Sequence, residues 1–83
     1  MWREDKVTYK IIDTLGVIDQ RTDRKGVTWT KEVNIVSWND HEPKADVREW
    51  NDDHTQMKKG ITLTFEEADK VAEILTAFAQ ERG

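Results

Sequence analysis

The chain has 83 residues, 36% of them hydrophobic and 36% charged, with a net charge of −4 and no cysteine. That length fits a single domain, the cysteine count excludes disulfides and thiolate metal sites, and no apolar run approaches the roughly 20 residues of a membrane span. A chain this short buries a limited share of its surface, so association into a homodimer is the expected source of further stability.

Residues 1–6 form a charged tail without the apolar segment of a signal peptide, and a soluble cytoplasmic protein is expected. Residues 7–18 (VTYKIIDTLGVI) alternate at first, with Val7, Tyr9 and Ile11 on one side. The phase then breaks across Ile12 to Leu15, which suits a long strand carrying a bulge or bend. Residues 19–27 (DQRTDRKGV) are polar and end near Gly26, as a connecting loop does.

Residues 29–39 read as a second strand, with Val33 and Ile35 on one face and Asn34, Val36 and Trp38 on the other. Trp29 has the phase of Val33. Residues 39–43 (NDHEP) are dense in turn formers. Residues 44–50 (KADVREW) alternate again: Ala45 and Val47 point one way, Asp46, Arg48 and Trp50 the other. Residues 51–56 form a second polar loop, and residues 58–63 (KKGITL) a short fourth strand with Ile61 and Leu63 turned to the core.

Thr64 and Glu67 have the spacing of a capping box. Glu66, Glu67 and Asp69 suit the positive end of a helix dipole. Phe65, Ala68, Val71, Ala72, Leu75 and Phe78 then recur as one apolar stripe, predicting a helix over 65–82. The expected architecture is α+β: one domain over residues 1–83, with an antiparallel four-stranded sheet over 7–63 and a C-terminal helix covering one face.

The other face would carry Trp38, Arg48 and Trp50, with Lys44 and Lys58 near the strand ends. Bases stack on tryptophan while Lys and Arg neutralise phosphates, so this pattern suits a single-stranded nucleic acid. The same tryptophans also suit a core or a dimer interface. The net acidity opposes nucleic-acid binding, but its distribution weakens the objection. Residues 24–60 hold seven basic and seven acidic side chains, whereas residues 61–83 hold two and five. Local field governs binding, not the whole-molecule sum.

No catalytic constellation is present. Asp52–Asp53 and Glu66–Glu67 are sequence neighbours that diverge from one another, Ser37 has no nucleophile-elbow motif around it, and Lys59–Gly60 is not a phosphate loop. His41 and His54 lie in separate acidic loops and read as solvated turn residues, so neither a metal nor a cofactor is expected.

The run Lys31-Glu32-Val33-Asn34, Val36-Ser37-Trp38-Asn39-Asp40, Glu42-Pro43-Lys44, Asp46-Val47-Arg48 with Trp50, then Met57 and Lys59-Gly60-Ile61-Thr62-Leu63-Thr64, resembles the positive cofactor four type of transcriptional coactivator, in its small bacterial YdbC-like branch. The resemblance spans roughly residues 29–75 and is loose over the first 28. It implies a strongly curved four-stranded sheet followed by a helix, a homodimer, and binding of single-stranded DNA, or of RNA, with little sequence preference in transcription, replication or repair. Nucleoid association and contact with the transcription or replication machinery go with that role.

Carried over by position, the resemblance makes Trp38 and Trp50 the stacking aromatics. It makes Arg48, Lys44 and Lys59 phosphate contacts, with Lys58 a weaker match. Two features depart from the pattern: Val36 stands where other branches carry a basic residue, and the turn after Trp38 is acidic through Asp40 and Glu42. The competing expectation is a protein-interaction adaptor using the same aromatic face.

Overall fold

The computed structural model describes residues 7–83; the expected tail at 1–6 lies outside the described residues. Four strands, β1 (Tyr9–Thr22), β2 (Thr28–Trp38), β3 (Lys44–Trp50) and β4 (Ile61–Leu63), form one antiparallel sheet in chain order, and α1 (Phe65–Arg82) follows. The α+β class and the β-β-β-β-α order are as the sequence predicts.

Two boundaries differ from expectation. The first strand does not stop at Ile18 but runs to Thr22, where Thr22 pairs with Thr28. The polar loop shrinks to a hairpin turn over 23–27. Asp23 builds that turn, its carboxylate accepting from the amides of Lys25 (2.9 Å) and Val27 (3.0 Å) and from Trp29 Nε1 (3.0 Å). Gly26 supplies the left-handed φ of 84° that the turn requires. The fourth strand is also shorter than expected, beginning at Ile61.

β1 pairs with β2 of its own chain, and its register shifts three times. The pairing skips Ile12, Leu15 and Ile18. Each bulge adds local twist and bends the strand, so three at three-residue spacing curve this edge of the sheet. The broken phase in the sequence is this run of bulges.

The helix begins as its capping box dictates. Thr64 Oγ1 accepts from the Glu67 amide (3.0 Å) and Glu67 Oε1 accepts from the Thr64 amide (2.9 Å). The C-terminus closes with the Gly83 amide donating to Ala79 O (2.9 Å). No described helix is long and apolar enough to cross a membrane.

The core is not where the alternation suggests. α1 contacts only β3 and β4 among the strands, and none of its residues is buried. Val33, Ala45, Val47, Leu63, Val71 and Leu75 line an apolar groove of about 330 Å³ between sheet and helix. Ile61, expected in the core, is exposed, as are Phe65, Ile74, Leu75 and Phe78. The most fully buried side chains, Val36, Asn34, Asp46 and Trp50, lie on the opposite side, while Ala45 and Trp29 are buried in the phase of Val33. The radius of gyration is 14.8 Å, against about 12 Å for a compact chain of this length. The helix meets only β3 and β4, which leaves the groove open.

Candidate nucleic-acid interface

The covered face is built by strand alternation. Tyr9 pairs with Trp38, Asn34 with Asp46, Glu32 with Arg48, Val36 with Lys44 and Asp46 with Thr62, and directly paired residues share a face. At its centre three rings meet. Tyr9 lies 5.2 Å from Trp50 and 5.9 Å from Trp38, tilted by about 50° to each, while Trp38 and Trp50 are 6.4 Å apart with planes only 12° from parallel. These are ordinary aromatic contact distances and fix each ring against the next.

Trp38 remains partly exposed, but Trp50 has no exposed surface. The segment 51–57 folds back over Trp50, and the His54 ring lies 5.5 Å from the indole. Asn51 shapes this segment, accepting on Oδ1 from the Gln56 amide (2.9 Å) and on its backbone oxygen from the His54 amide (3.1 Å). Trp50, expected as a stacking aromatic, is as folded a covered floor beneath Trp38. Val36 is likewise fully buried, so it belongs to that floor and not to a phosphate track.

Arg48 is committed within the fold. Its Nε and Nη2 donate to the two oxygens of Asp46 at 2.6 and 2.9 Å, and Nη1 donates to Lys58 O at 3.2 Å. Thr62 Oγ1 also donates to Asp46 Oδ2 (2.8 Å). The Asp46 side chain is 0% exposed and that of Arg48 13%. A bidentate carboxylate–guanidinium pair of this kind is strong and directional. The guanidinium also lies 4.7 Å above the centre of the Trp38 ring, within cation–π range. Arg48 therefore braces Trp38 from inside.

The lysines divide. Lys44 is exposed at the start of β3, beside Glu42 and Pro43. Lys59 is exposed and precedes Gly60, whose backbone lies against Val47 and Arg48. Lys58 lies elsewhere, its Nζ 4.3 Å from the centre of the Trp29 ring, and Trp29 has the phase of Val33. Trp29 itself is buried and bonded to Asp23, the structural place its phase predicts. That bond, with those from Val27 and Lys25, holds the Asp23 carboxyl below its usual value. Nearby, Arg21 pairs with Glu49 at 2.8 Å, lowering the Glu49 carboxyl in turn.

The structure adds residues that sequence reasoning left out. His54 is not a solvated turn residue: its Nε2 lies 2.9 and 3.0 Å from the oxygens of Glu32. Its backbone oxygen accepts from the Tyr9 hydroxyl. Glu32 is buried and also accepts from Asn34 Nδ2 (3.0 Å). The available signal was phase, since Glu32 and Asn34 alternate in step with Trp38. Among the described residues no group of three or more His, Asp or Glu is placed to hold a metal ion.

Among the described residues the arrangement offers one partly accessible indole on this face, on an aromatic and ionic base, with Lys44 exposed at the start of β3 and Lys59 exposed ahead of β4. Comparison with known proteins bears on what this surface is. The family model "Transcriptional Coactivator p15 (PC4)" matches residues 25–74, which spans β2, β3, β4 and the first half of α1. A protein of Treponema pallidum (strain Nichols), described only as uncharacterized, is 35% identical over 75 residues, covering 90% of this chain and 84% of that one. The match covers more than half of the chain, and the chain belongs to the PC4 family of transcriptional coactivators.

Proposed function

We propose that the protein is a non-enzymatic, homodimeric single-stranded DNA-binding protein with little sequence preference, able to accept RNA, acting in transcription, replication or repair. The observation that carries this is Trp38: a partly exposed indole held in one orientation by Tyr9, Trp50 and Arg48. A fixed, flat, accessible ring stacks on any base, because every base has a π-face. A fixed ring also loses little rotamer freedom on binding.

Trp38 is the base-stacking residue in this reading. Lys44 and Lys59 contact phosphates, and Lys58 adds positive field from its seat on Trp29. Arg48 and Trp50 act from beneath, keeping Trp38 in place. The dimer is supported by the exposed Phe65, Ile74, Leu75 and Phe78 and by the apolar groove between helix and sheet; contiguous apolar surface of this kind marks an association site. The family to which the chain belongs is consistent with both.

Titration with oligo-dT tests the reading. Tryptophan emission should be quenched, duplex DNA should compete poorly, and log affinity should fall linearly with log salt, by about 0.7 for each phosphate neutralised. Unchanged emission with no retardation at low salt would refute it. Sedimentation equilibrium of the free protein should give twice the 9.7 kDa chain mass.

A further inference from the structure

Trp50 is the last residue of β3, a position that would ordinarily leave a large ring at the sheet margin. Its complete burial depends on segment 51–57 lying over it. Within itself that segment is held by Asn51 and by Asp53, whose Oδ1 accepts from the Thr55 hydroxyl at 2.7 Å. Its side-chain ties to β1 and β2 pass through one residue. His54 has a left-handed backbone, φ 60°, and sends its ring to Glu32 on β2 and its carbonyl oxygen to the Tyr9 hydroxyl on β1.

We propose that His54 and Glu32 form a latch that positions the stacking platform: by pinning segment 51–57 across Trp50 and Tyr9, they hold Trp38 in the plane that receives a base. The proposal rests on the strand-binding reading above. Glu32 is 4% exposed and is oriented by Asn34, so its carboxylate is aimed before His54 arrives. A carboxylate offers only acceptors, so His54 Nε2 carries the hydrogen. The left-handed backbone brings ring and carbonyl to the sheet together, at a conformation that is sparsely populated for a residue with a side chain. Tyr9 bonds that carbonyl and touches both indoles. The path from latch to platform is therefore contiguous, from Glu32 through His54 to Tyr9 and Trp50, and from these to Trp38. No member of it except Trp38 needs to touch the nucleic acid, so His54 and Glu32 are positioning residues.

A purely structural role and a positioning role separate experimentally. His54→Ala and Glu32→Ala are compared with Glu32→Gln, which keeps an acceptor of the same size, and with Tyr9→Phe, which removes only the hydroxyl. Near-ultraviolet circular dichroism of the free protein reads the Trp38–Trp50 arrangement without any ligand, and oligo-dT titration at several salt concentrations reads binding. Both alanine variants should lose near-ultraviolet signal while keeping far-ultraviolet signal. Their affinity should fall by at least about fivefold, the lower end of what one lost stacking platform costs, with the salt slope unchanged because no phosphate contact is removed. Glu32→Gln should recover most of both, and Tyr9→Phe should move the same way as the alanine variants by a smaller factor.

Wild-type near-ultraviolet signal in His54→Ala, or a reduced salt slope accompanying the lost affinity, would overturn the proposal. If Glu32→Ala does not fold, Tyr9→Phe decides: wild-type affinity and near-ultraviolet signal there overturn the latch. If the wild-type protein itself binds no oligo-dT, the strand-binding reading fails and the proposal with it, while the near-ultraviolet arm still shows whether His54 and Glu32 order the rings.

Discussion

Arg48 separates two accounts of this surface, because a phosphate ligand and an internal brace respond oppositely to its removal. In Arg48→Met the Asp46 carboxylate, with no exposed surface, loses both guanidinium hydrogen bonds, at 2.6 and 2.9 Å, and keeps only the Thr62 hydroxyl. Breaking one partner of a buried ion pair costs about 3–5 kcal/mol, because it strands the other charge. Domains of this size have only about 5–15 kcal/mol of total stability, so the midpoint of a urea transition should fall steeply. Replacing both partners, Asp46→Leu with Arg48→Met, removes the stranded charge and should recover most of the loss, as apolar substitutions of buried pairs commonly do. Measurements belong at one fixed protein concentration, since dimerisation would contribute to apparent stability. An unchanged urea midpoint in Arg48→Met, with a shallower salt dependence of oligonucleotide binding, would refute the reasoning and make Arg48 a phosphate contact.

Other outcomes follow from single contacts. Trp38→Ala should weaken oligo-dT binding by about 1–3 kcal/mol, the worth of one stacked base, and should leave the far-ultraviolet spectrum intact because the ring is only partly buried. Gly60→Ala would place a Cβ 2.3 Å from both Val47 O and Arg48 Cβ. The β3 and β4 backbones would have to separate there, a cost of about 1–3 kcal/mol that chemical denaturation would register. Acid should loosen the β1–β2 hairpin. The Asp23 carboxyl is held below its unfolded value of 3.8, first by Trp29 Nε1 and then by the Val27 amide. The stabilisation from such a depressed group is complete above the unfolded value and is lost as pH falls through the folded one. The Trp29 indole N–H resonance should therefore shift and exchange faster below about pH 4, and Asp23→Asn should abolish that step.

The elements of the fold were legible where the signal was local. Alternation in β2 and β3 and the Thr64–Glu67 spacing each concern residues a few positions apart, and each is realised in the structure. β1 was harder. Three bulges at Ile12, Leu15 and Ile18 impose a spacing of three on a strand, and its polar end at residues 19–22 resembles a loop although its backbone pairs with β2. Alternation also says which residues share a face without saying which face is covered. Asn34 and Asp46 have the phase of Trp38, opposite the apolar positions, and Glu32 shares that phase. Their burial is made tolerable by partners that sequence does not disclose, such as His54, 22 positions from Glu32. The helix stripe was legible as apolar, but the sheet covers only part of it and none of its residues is buried.

The same pairings bear on what the acidity of the chain would mean for the proposed binding. Asp46 is neutralised by Arg48, Glu49 by Arg21, Glu32 faces His54, and Asp23 accepts from three N–H donors. These acids are occupied within the fold, and so are Arg48 and Arg21. The exposed charges left on these segments are then Lys44 and Lys59 together with Asp40 and Glu42, with Glu42 beside Lys44, a nearly balanced set. A surface of that kind gains little from counterion release, which scales with the phosphates neutralised. Its affinity would come chiefly from stacking, which salt does not screen. Binding is therefore expected to be modest at low salt but to decline gently as salt rises. Asp40→Asn with Glu42→Gln should strengthen it chiefly at low ionic strength, where the local field is least screened.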